Sequence, residues 1–331
     1  MYNNIFLSIL APVYNVEKYI AKCLDSIFSQ ITDDCEVILV DDGSSDSSGN
    51  ICDEYQQRYP NLCKVYHKEN QGAYPTRNFA FGKAQGEYIW FIDPDDYIDR
   101  DAISLIKSIL SENVNLDIIT GAYRQFKDDW VGDLENSEKE PKIVSGEEYL
   151  VTGHFKNAYL WYHIYRRDFL IDNNIRFIDS INTQGDWLFN AHAYVVAKRI
   201  YLSDKLIYNY YQGNPTSTLA RRDKPHLLRG VDNSLTAIME MNKLCSKYKD
   251  TIIYDPLRKR LSLTVCGFLY SLYRFHFPIE VVKQSISKCK EQGLYPIGKT
   301  DNKKANLFIT FANCKWIYLK VCGFRSFLKK H

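Results

Sequence analysis

Carboxylates are bunched at one point of this chain in a way that calls for a cation. The apolar run Tyr88-Ile89-Trp90-Phe91-Ile92 leads directly into Asp93-Pro94-Asp95-Asp96. Acidic side chains crowded on one turn repel one another, and a hard divalent cation bridging them to a ligand's phosphates relieves the repulsion. The pattern suggests a metal and diphosphate site at Asp93, Asp95 and Asp96. The alternative is a solvated acidic turn capping a helix that starts near Asp99 to Asp101. A second acidic group, Asp41-Asp42-Gly43-Ser44, closes the run Val37-Ile38-Leu39-Val40. A carboxylate at a strand end can accept from a base N–H or a ribose hydroxyl, which reads a nucleoside rather than a phosphate. The phosphate cradles of dinucleotide-binding and Walker-type proteins are missing, since no GxGxxG follows the first strand and no GxxxxGKS or GxxxxGKT occurs.

The elements that must position these groups alternate between strand and helix over the first 120 or so residues. Ile5 to Ala11 is an apolar run ending at Pro12, and Tyr19, Ile20, Cys23, Leu24, Ile27 and Phe28 have helical spacing within a helix from about Glu17 to Gln30. The strand at 37–40 is followed by a helix to about Tyr59, with Asp46 or a neighbouring Ser as its cap. Lys64 to His67 is a third strand and Pro75 to Ala84 a third helix. Tyr88 onward is a fourth strand, which Pro94 stops at Asp93. Strands joined by such helices imply right-handed crossovers and a mainly parallel sheet with helices on both faces. Its ligand belongs at the carboxyl ends of the strands, where the acids lie.

Taken together, Ala11-Pro12-Val13-Tyr14-Asn15, Val40-Asp41-Asp42-Gly43-Ser44-Ser45-Asp46, Asn70-Gln71-Gly72 with Arg77-Asn78, Gly86-Glu87-Tyr88-Ile89 and Asp93-Pro94-Asp95-Asp96 resemble, in order and spacing, the family 2 glycosyltransferases of GT-A fold. The resemblance implies an inverting transfer from a nucleotide sugar, usually a UDP-sugar, assisted by Mn²⁺ or Mg²⁺. It places Pro12 and Tyr14 in the nucleoside pocket with Asp41 beside them, Asp42 on the uracil N–H, and Arg77 on the base or diphosphate. It also places Asp95 on the metal, with Asp93 and Asp96 on ribose, metal water or the donor sugar. The segment from Trp161 to Arg167 and the stretch Gly185-Asp186-Trp187-Leu188-Phe189 are similar to the family's acceptor half. There Asp186 would be the general base, and Trp161 and Trp187 would face the acceptor. The family has Glu where this chain has Gly185. Inversion needs one base opposite the leaving group, so the departure bears on acceptor geometry or on tuning of the base rather than on the reaction class.

On this reading, residues 1–220 form the GT-A domain, with a nucleotide-sugar half (1–123) and an acceptor half (124–220). A helical extension occupies 221–331, for acceptor binding or self-association. Residues 127 to 142 are polar and read as a surface loop or mobile flap. Ser145-Gly146-Glu147-Glu148 opens a capped helix running toward Phe155. The loop 212–218 resembles a segment that closes over donor phosphates. His163 and His192 read as packing or surface residues rather than metal ligands. Beyond Asp301 there is no acid, while Lys303, Lys304, Lys315, Lys320, Arg325, Lys329 and Lys330 interleave with bulky apolar residues. Such a tail either lies on an anionic membrane surface or docks on the body.

Composition sets the limits. The chain has 331 residues, a net charge of +2 and 45% hydrophobic residues, so nothing global points to nucleic acid. Its 25 Tyr and 5 Trp supply amphipathic rings suited to sugars, although most will be core. Nine cysteines with no close CxxC pair read as reduced, buried thiols. With no signal layout and no membrane-length apolar run, the expected location is the cytoplasm, with the tail resting on the inner membrane face. The acceptor would then be a glycan, plausibly lipid-linked. Two rivals stay open: a nucleotidyltransferase, which should carry a Gly-rich basic loop after its first strand, and a sugar-nucleotide or glycan-binding protein without turnover.

Overall fold

A strand covered on both faces must be apolar along its length. β1 (Leu7–Val13), β2 (Cys35–Asp41) and β4 (Tyr88–Phe91) are such strands, and nearly all of their residues are buried. The computed structural model describes residues 5–128, 130–135, 140–154, 159–181, 183–215 and 224–328. The chain divides into two compact units, Met1–Arg222 and Asp223–His331.

In the first unit, α1 (Ile20–Phe28), α2 (Ser48–Arg58) and α3 (Ala73–Lys83) connect parallel strands in the spatial order β3 (Cys63–His67), β2, β1, β4. The register aligns Val13 with Asp41 and Asp41 with His67. The carboxyl ends of these strands therefore share one edge. β1 does not end before Pro12 as expected but continues to Val13. Its last bond toward β4 runs from Ile92 N to Leu10 O at 3.0 Å, so the missing proline N–H faces a side with no further ladder partner. β4 in turn ends at Phe91 rather than Asp93, with the Ile92 bond its last tie to β1.

Beyond β4 the sheet becomes mixed. After β5 (Tyr97–Ile98) and α4 (Ala102–Glu112), the chain forms β6 (Ile118–Lys127), β7 (Trp130–Glu135), β8 (Lys142–Val144) and α5 (Gly146–Val151). β9 (His163–Arg166) runs antiparallel between β4 and β6. α6 (Arg167–Asp172) and α7 (Gly185–Tyr194) follow, then β10 (Ile200–Tyr211), which is parallel to β6 and antiparallel to β5 and β8. The polar stretch 127–142, expected as a loop or flap, instead folds β7 back along β6 as an edge hairpin. Trp130 and Val131 are exposed there, so the strand lacked the apolar alternation that would announce it. Ser145 caps α5 by accepting from Glu148 N at 3.1 Å. That helix stops at Val151, and Phe155 lies outside the described residues, as do residues 216–218 of the expected phosphate-closing loop.

Close approach fixes one glycine. A Cβ on Gly86 would sit 2.5 Å from Ser8 N, because the Gly86 amide donates to Ser8 Oγ (2.8 Å), which itself donates to the buried Glu36 (2.7 Å). This network seats the start of β4 against β1.

The second unit contains α8 (Lys224–Lys247), α9 (Tyr254–Arg274), α10 (Ile279–Glu291), α11 (Lys303–Asn313) and α12 (Lys315–Leu328). Leu257, Leu261, Val265, Phe268, Leu269 and Leu272 form the buried stripe of α9, and Tyr318 of α12 donates to Leu269 O at 2.7 Å. Among the described residues no helix is long and apolar enough to cross a membrane. All nine cysteines are free thiols, and eight of them are buried.

Candidate active site

The acidic turn leaves β4 and is held from several sides. Asp96 is 2% exposed and accepts from Tyr208 Oη (2.8 Å) and Tyr211 N (2.7 Å). Expected to face the donor, it ties the turn to β10, with one hydrogen bond to each carboxylate oxygen. Burial, followed by the charges of Asp95 and Asp93, raises its pKa well above the carboxylate range. Tyr208 Oη also accepts the amide of Asp93 at 3.0 Å. Asp95 is half-buried and accepts from Asn214 Nδ2 through Oδ2 (2.8 Å). Burial and then the Asp93 charge push its pKa up to about 6.

Arg77 of α3 reaches this turn. Its Nη2 donates to Asp93 Oδ1 at 2.5 Å and its Nη1 to Asp186 Oδ1 at 2.9 Å. Expected to reach the donor's base or diphosphate, the guanidinium thus bridges two carboxylates separated by 93 residues of chain (186 − 93). Only 7% of its side chain is exposed, and Asp186 and Asp93 together outweigh burial to hold it charged. Its faces lie 5.6 and 5.7 Å from the ring centres of Tyr74 and Phe177. Asn78 completes the support, donating to Phe177 O (2.9 Å) and accepting from Phe177 N (3.1 Å).

Asp186 sits in the first turn of α7 with 27% of its side chain exposed. Burial pushes its pKa up to about 6 against the lowering effect of Arg77, and the Asp93 charge adds to the rise. The carboxyl is therefore mostly ionised at pH 7 and basic enough to take a proton from a hydroxyl as its bond to an electrophile forms.

At the ends of β1 and β2 the expected nucleoside residues gather, though several are already engaged. Tyr14 is 47% exposed and Pro12 is half-buried. Asp41 accepts from Ser44 N (3.0 Å) and from His67 Nδ1 (3.0 Å), and His67 Nε2 reaches Asp53. The bonds to Asp41 and Asp53 raise the His67 pKa. Asp42 is 3% exposed; it takes the amides of Gln71 (2.9 Å) and Gly72 (2.8 Å) and pairs with Lys68. Placed beforehand on a uracil N–H, this carboxylate shapes the loop leading into α3.

The two tryptophans assigned to the acceptor offer it no open ring face. Trp161 is 3% exposed, stacked on Tyr208 (4.5 Å between centroids) and Tyr159 (4.8 Å), and Trp187 is 5% exposed. Both are core. The sequence suggested aromatic residues near a sugar site, but it could not show that Tyr159 and Tyr208 cover Trp161 or that Trp187 is buried. His163 is buried between Thr120 and Tyr194, and burial lowers its pKa to about 3. It packs the core as a neutral ring.

Residues brought into the site that the sequence did not single out are Tyr74, Phe177 and Tyr208, while Asn214 was noted only within the loop 212–218. Asn78 was noted only as part of a motif. Their signal is contact between distant segments, which spacing does not carry.

The model of glycosyl transferase family 2 matches residues 8–180, just over half of the chain. The chain belongs to glycosyl transferase family 2. It is 33% identical over 227 residues to the uncharacterized glycosyltransferase EpsJ of Bacillus subtilis, a match covering 66% of this chain and 64% of that protein. It is also 33% identical over 226 residues to the poly(ribitol-phosphate) beta-glucosyltransferase of Bacillus spizizenii, covering 67% of this chain and 33% of that one. The chain thus spans less than two thirds of the length of either relative. In structure the chain is similar to S. aureus TarS 1-349 in complex with UDP-GlcNAc, with a TM-score of 0.64 and 22% identity, over 90% of this chain and 93% of that one. At that identity the likeness shows the GT-A architecture.

Removing the guanidinium leaves two partly buried carboxylates facing each other. Arg77→Ala should cost about 3 kcal/mol at pH 7.5. The deficit should shrink at pH 5, because the Asp186 pKa is already raised and protonation removes its charge. Urea unfolding at the two pH values measures both effects.

Proposed function

We propose that this chain is an inverting glycosyltransferase that moves a sugar from a nucleotide donor, of the UDP class, to a hydroxyl of a glycan acceptor. The observation that carries the reading is the Asp93–Arg77–Asp186 bridge, which brings the acid at the end of β4 and the acid at the start of α7 to one centre. Support for the donor class comes from TarS, solved with UDP-GlcNAc. Support for a surface glycopolymer as acceptor comes from the poly(ribitol-phosphate) transferase among the relatives.

In this reading Tyr14 and Pro12 flank the nucleoside, and Asp41 and Asp42 act through the loops they brace. Asp95 would hold a divalent cation, Mn²⁺ or Mg²⁺. Its half-buried carboxylate with a raised pKa beside Asp93 suits a site that a cation would complete, since Mg²⁺ is commonly held by one or two carboxylates plus substrate oxygens. Such a cation would supply positive charge against the charge developing on the departing diphosphate. Asp186 accepts the proton of the acceptor hydroxyl. That oxygen forms its bond to the anomeric carbon as the bond to the nucleotide's phosphate oxygen breaks on the opposite face, which inverts the carbon. Arg77 keeps Asp186 aligned and tied to Asp93 while this happens.

A lipid-linked acceptor would bring the enzyme to a membrane, and the second unit has a surface suited to it. Trp316, Lys320, Phe324 and Phe327 follow one another at helical spacing on α12, all exposed, with Leu307 of α11 78% exposed. Exposed Lys303, Lys304 and Lys315 add positive charge. Arg325, counted with them from sequence, turns inward onto Tyr273 at 4.4 Å and onto His276. Phe308, Phe311 and Tyr318 form a ring cluster within the unit, so these helices both dock and present an outer apolar and basic face.

Release of UDP from a panel of UDP-hexoses with Mn²⁺ tests the activity. Asp186→Asn should keep donor affinity while losing at least about 100-fold in kcat, and the native kcat/KM should fall as pH drops through about 6, where the base becomes protonated. Tight UDP binding without turnover on any donor would leave a binding protein instead. Asp95→Ala should abolish the Mn²⁺-dependent part of UDP binding in calorimetry, and an unchanged titration would remove Asp95 from the cation. For the membrane face, full-length protein carrying Trp316→Ser, Phe324→Ser and Phe327→Ser should stop sedimenting with phosphatidylglycerol vesicles. If it instead loses self-association with sedimentation unchanged, the face joins two copies of the chain.

A further inference from the structure

Position 185 is closed to any side chain by a residue from another helix. A Cβ built on Gly185 would lie 2.5 Å from both Cε2 and Cζ of Tyr74, well inside van der Waals contact. The Tyr74 hydroxyl is also the acceptor for the Gly185 amide at 2.8 Å, and the Asp186 amide acts on it as well. The first turn of a helix has amides without intrahelical partners, normally capped by the residue just before it. Here Gln184 provides no side-chain cap and has left-handed backbone (φ 62°), and the phenol oxygen from α3 does the capping.

The ring is itself fixed. Tyr74 is 6% exposed and stacks on Phe177 at 5.3 Å and 7°, and Phe177 stacks on Phe189 of α7 at 4.4 Å and 16°. The column therefore begins on α3, three residues before Arg77, and ends on α7, three residues after Asp186. Together with the guanidinium lying near the Tyr74 and Phe177 faces, it sets the distance and angle between the two helices.

We propose that Tyr74 is a positioning residue for Asp186, its hydroxyl capping α7 and its ring excluding a side chain at 185 so that the carboxylate meets Arg77 in one orientation. The inference rests on the reading of Asp186 as the base. The groups facing Asp186 are Arg77 and Tyr74 from α3, Asp93 after β4 and Tyr165 from β9. Tyr74→Phe keeps the stack and removes the cap, freeing amide dipoles that favour the ionised carboxylate. Gly185→Ala keeps the hydroxyl and pushes the ring away. Each change should let Asp186 leave its half-buried seat, and the relief of burial also favours the ionised form.

The test follows the Asp186 carboxyl carbon by NMR, assigned by its loss in Asp186→Asn, beside kcat for UDP release from UDP-GlcNAc or the best donor of the panel. Both single variants should lower the carboxyl titration by about half a pH unit or more and kcat by about tenfold, with donor KM unchanged. Tyr74→Ser with Gly185→Ala, which removes the collision, should recover part of the kcat lost in Gly185→Ala. A Tyr74→Phe protein whose titration and kcat match the native ones overturns the proposal. So does a lower kcat, or loss of thermal stability, with the titration unmoved, because that describes packing alone. If the titration moves as stated but Asp186→Asn still turns over, the positioning stands and the base assignment fails.

Discussion

One guanidinium sharing two carboxylates is the contact on which the site depends. Asp93 and Asp186 carry like charge and arrive from separate halves of the sheet, so without a cation between them they would repel and spread. Arg77 suits the task better than lysine would, because its planar fork can donate in two directions at once. Desolvating it is costly, and the structure offsets the cost with two charged hydrogen bonds and two aromatic faces. The elevated pKa of Asp186 is the other side of this arrangement. Enough burial remains to keep the carboxyl basic, and enough positive charge to keep it ionised near neutrality.

The parallel half of the fold was legible because its strands are continuous apolar runs and its helices keep a regular spacing. The family motifs fall at the strand ends, where the register brings them to one edge. The 127–142 hairpin was not legible, since an edge strand needs no apolar face and Trp130-Val131 point into solvent. Within the site, residue types were easier to read than commitments. Asp96 and Asp42 look like donor ligands in sequence, and each also braces the protein, Asp96 through Tyr208 and Tyr211 and Asp42 through Gln71, Gly72 and Lys68. A string of letters shows an acid but not its existing partners. The departure at Gly185 was visible, but its cause was not, because Tyr74 lies 111 residues away.

The two units differ in what they carry. The first has the acids, the guanidinium and the strand ends. In the second, among the described residues, most of the exposed large apolar side chains lie on α11 and α12, beyond Asp301, the last acid of the sequence. Burial of Tyr318 and inward packing of Arg325 show that α12 is tethered by one side and free on the other, as expected of a helix serving both as cover and as contact surface.

Tyr208 gives the acidic turn a mechanical property. Because its hydroxyl is bonded to the backbone of residue 93 and to the side chain of residue 96, and the amide of Tyr211 holds the latter too, the turn is riveted to the tip of β10. The acids and that strand tip must shift as a single rigid piece. Any accommodation to an incoming ligand is thereby left to torsions elsewhere, beginning where Asn214 grips Asp95 just past the end of the strand.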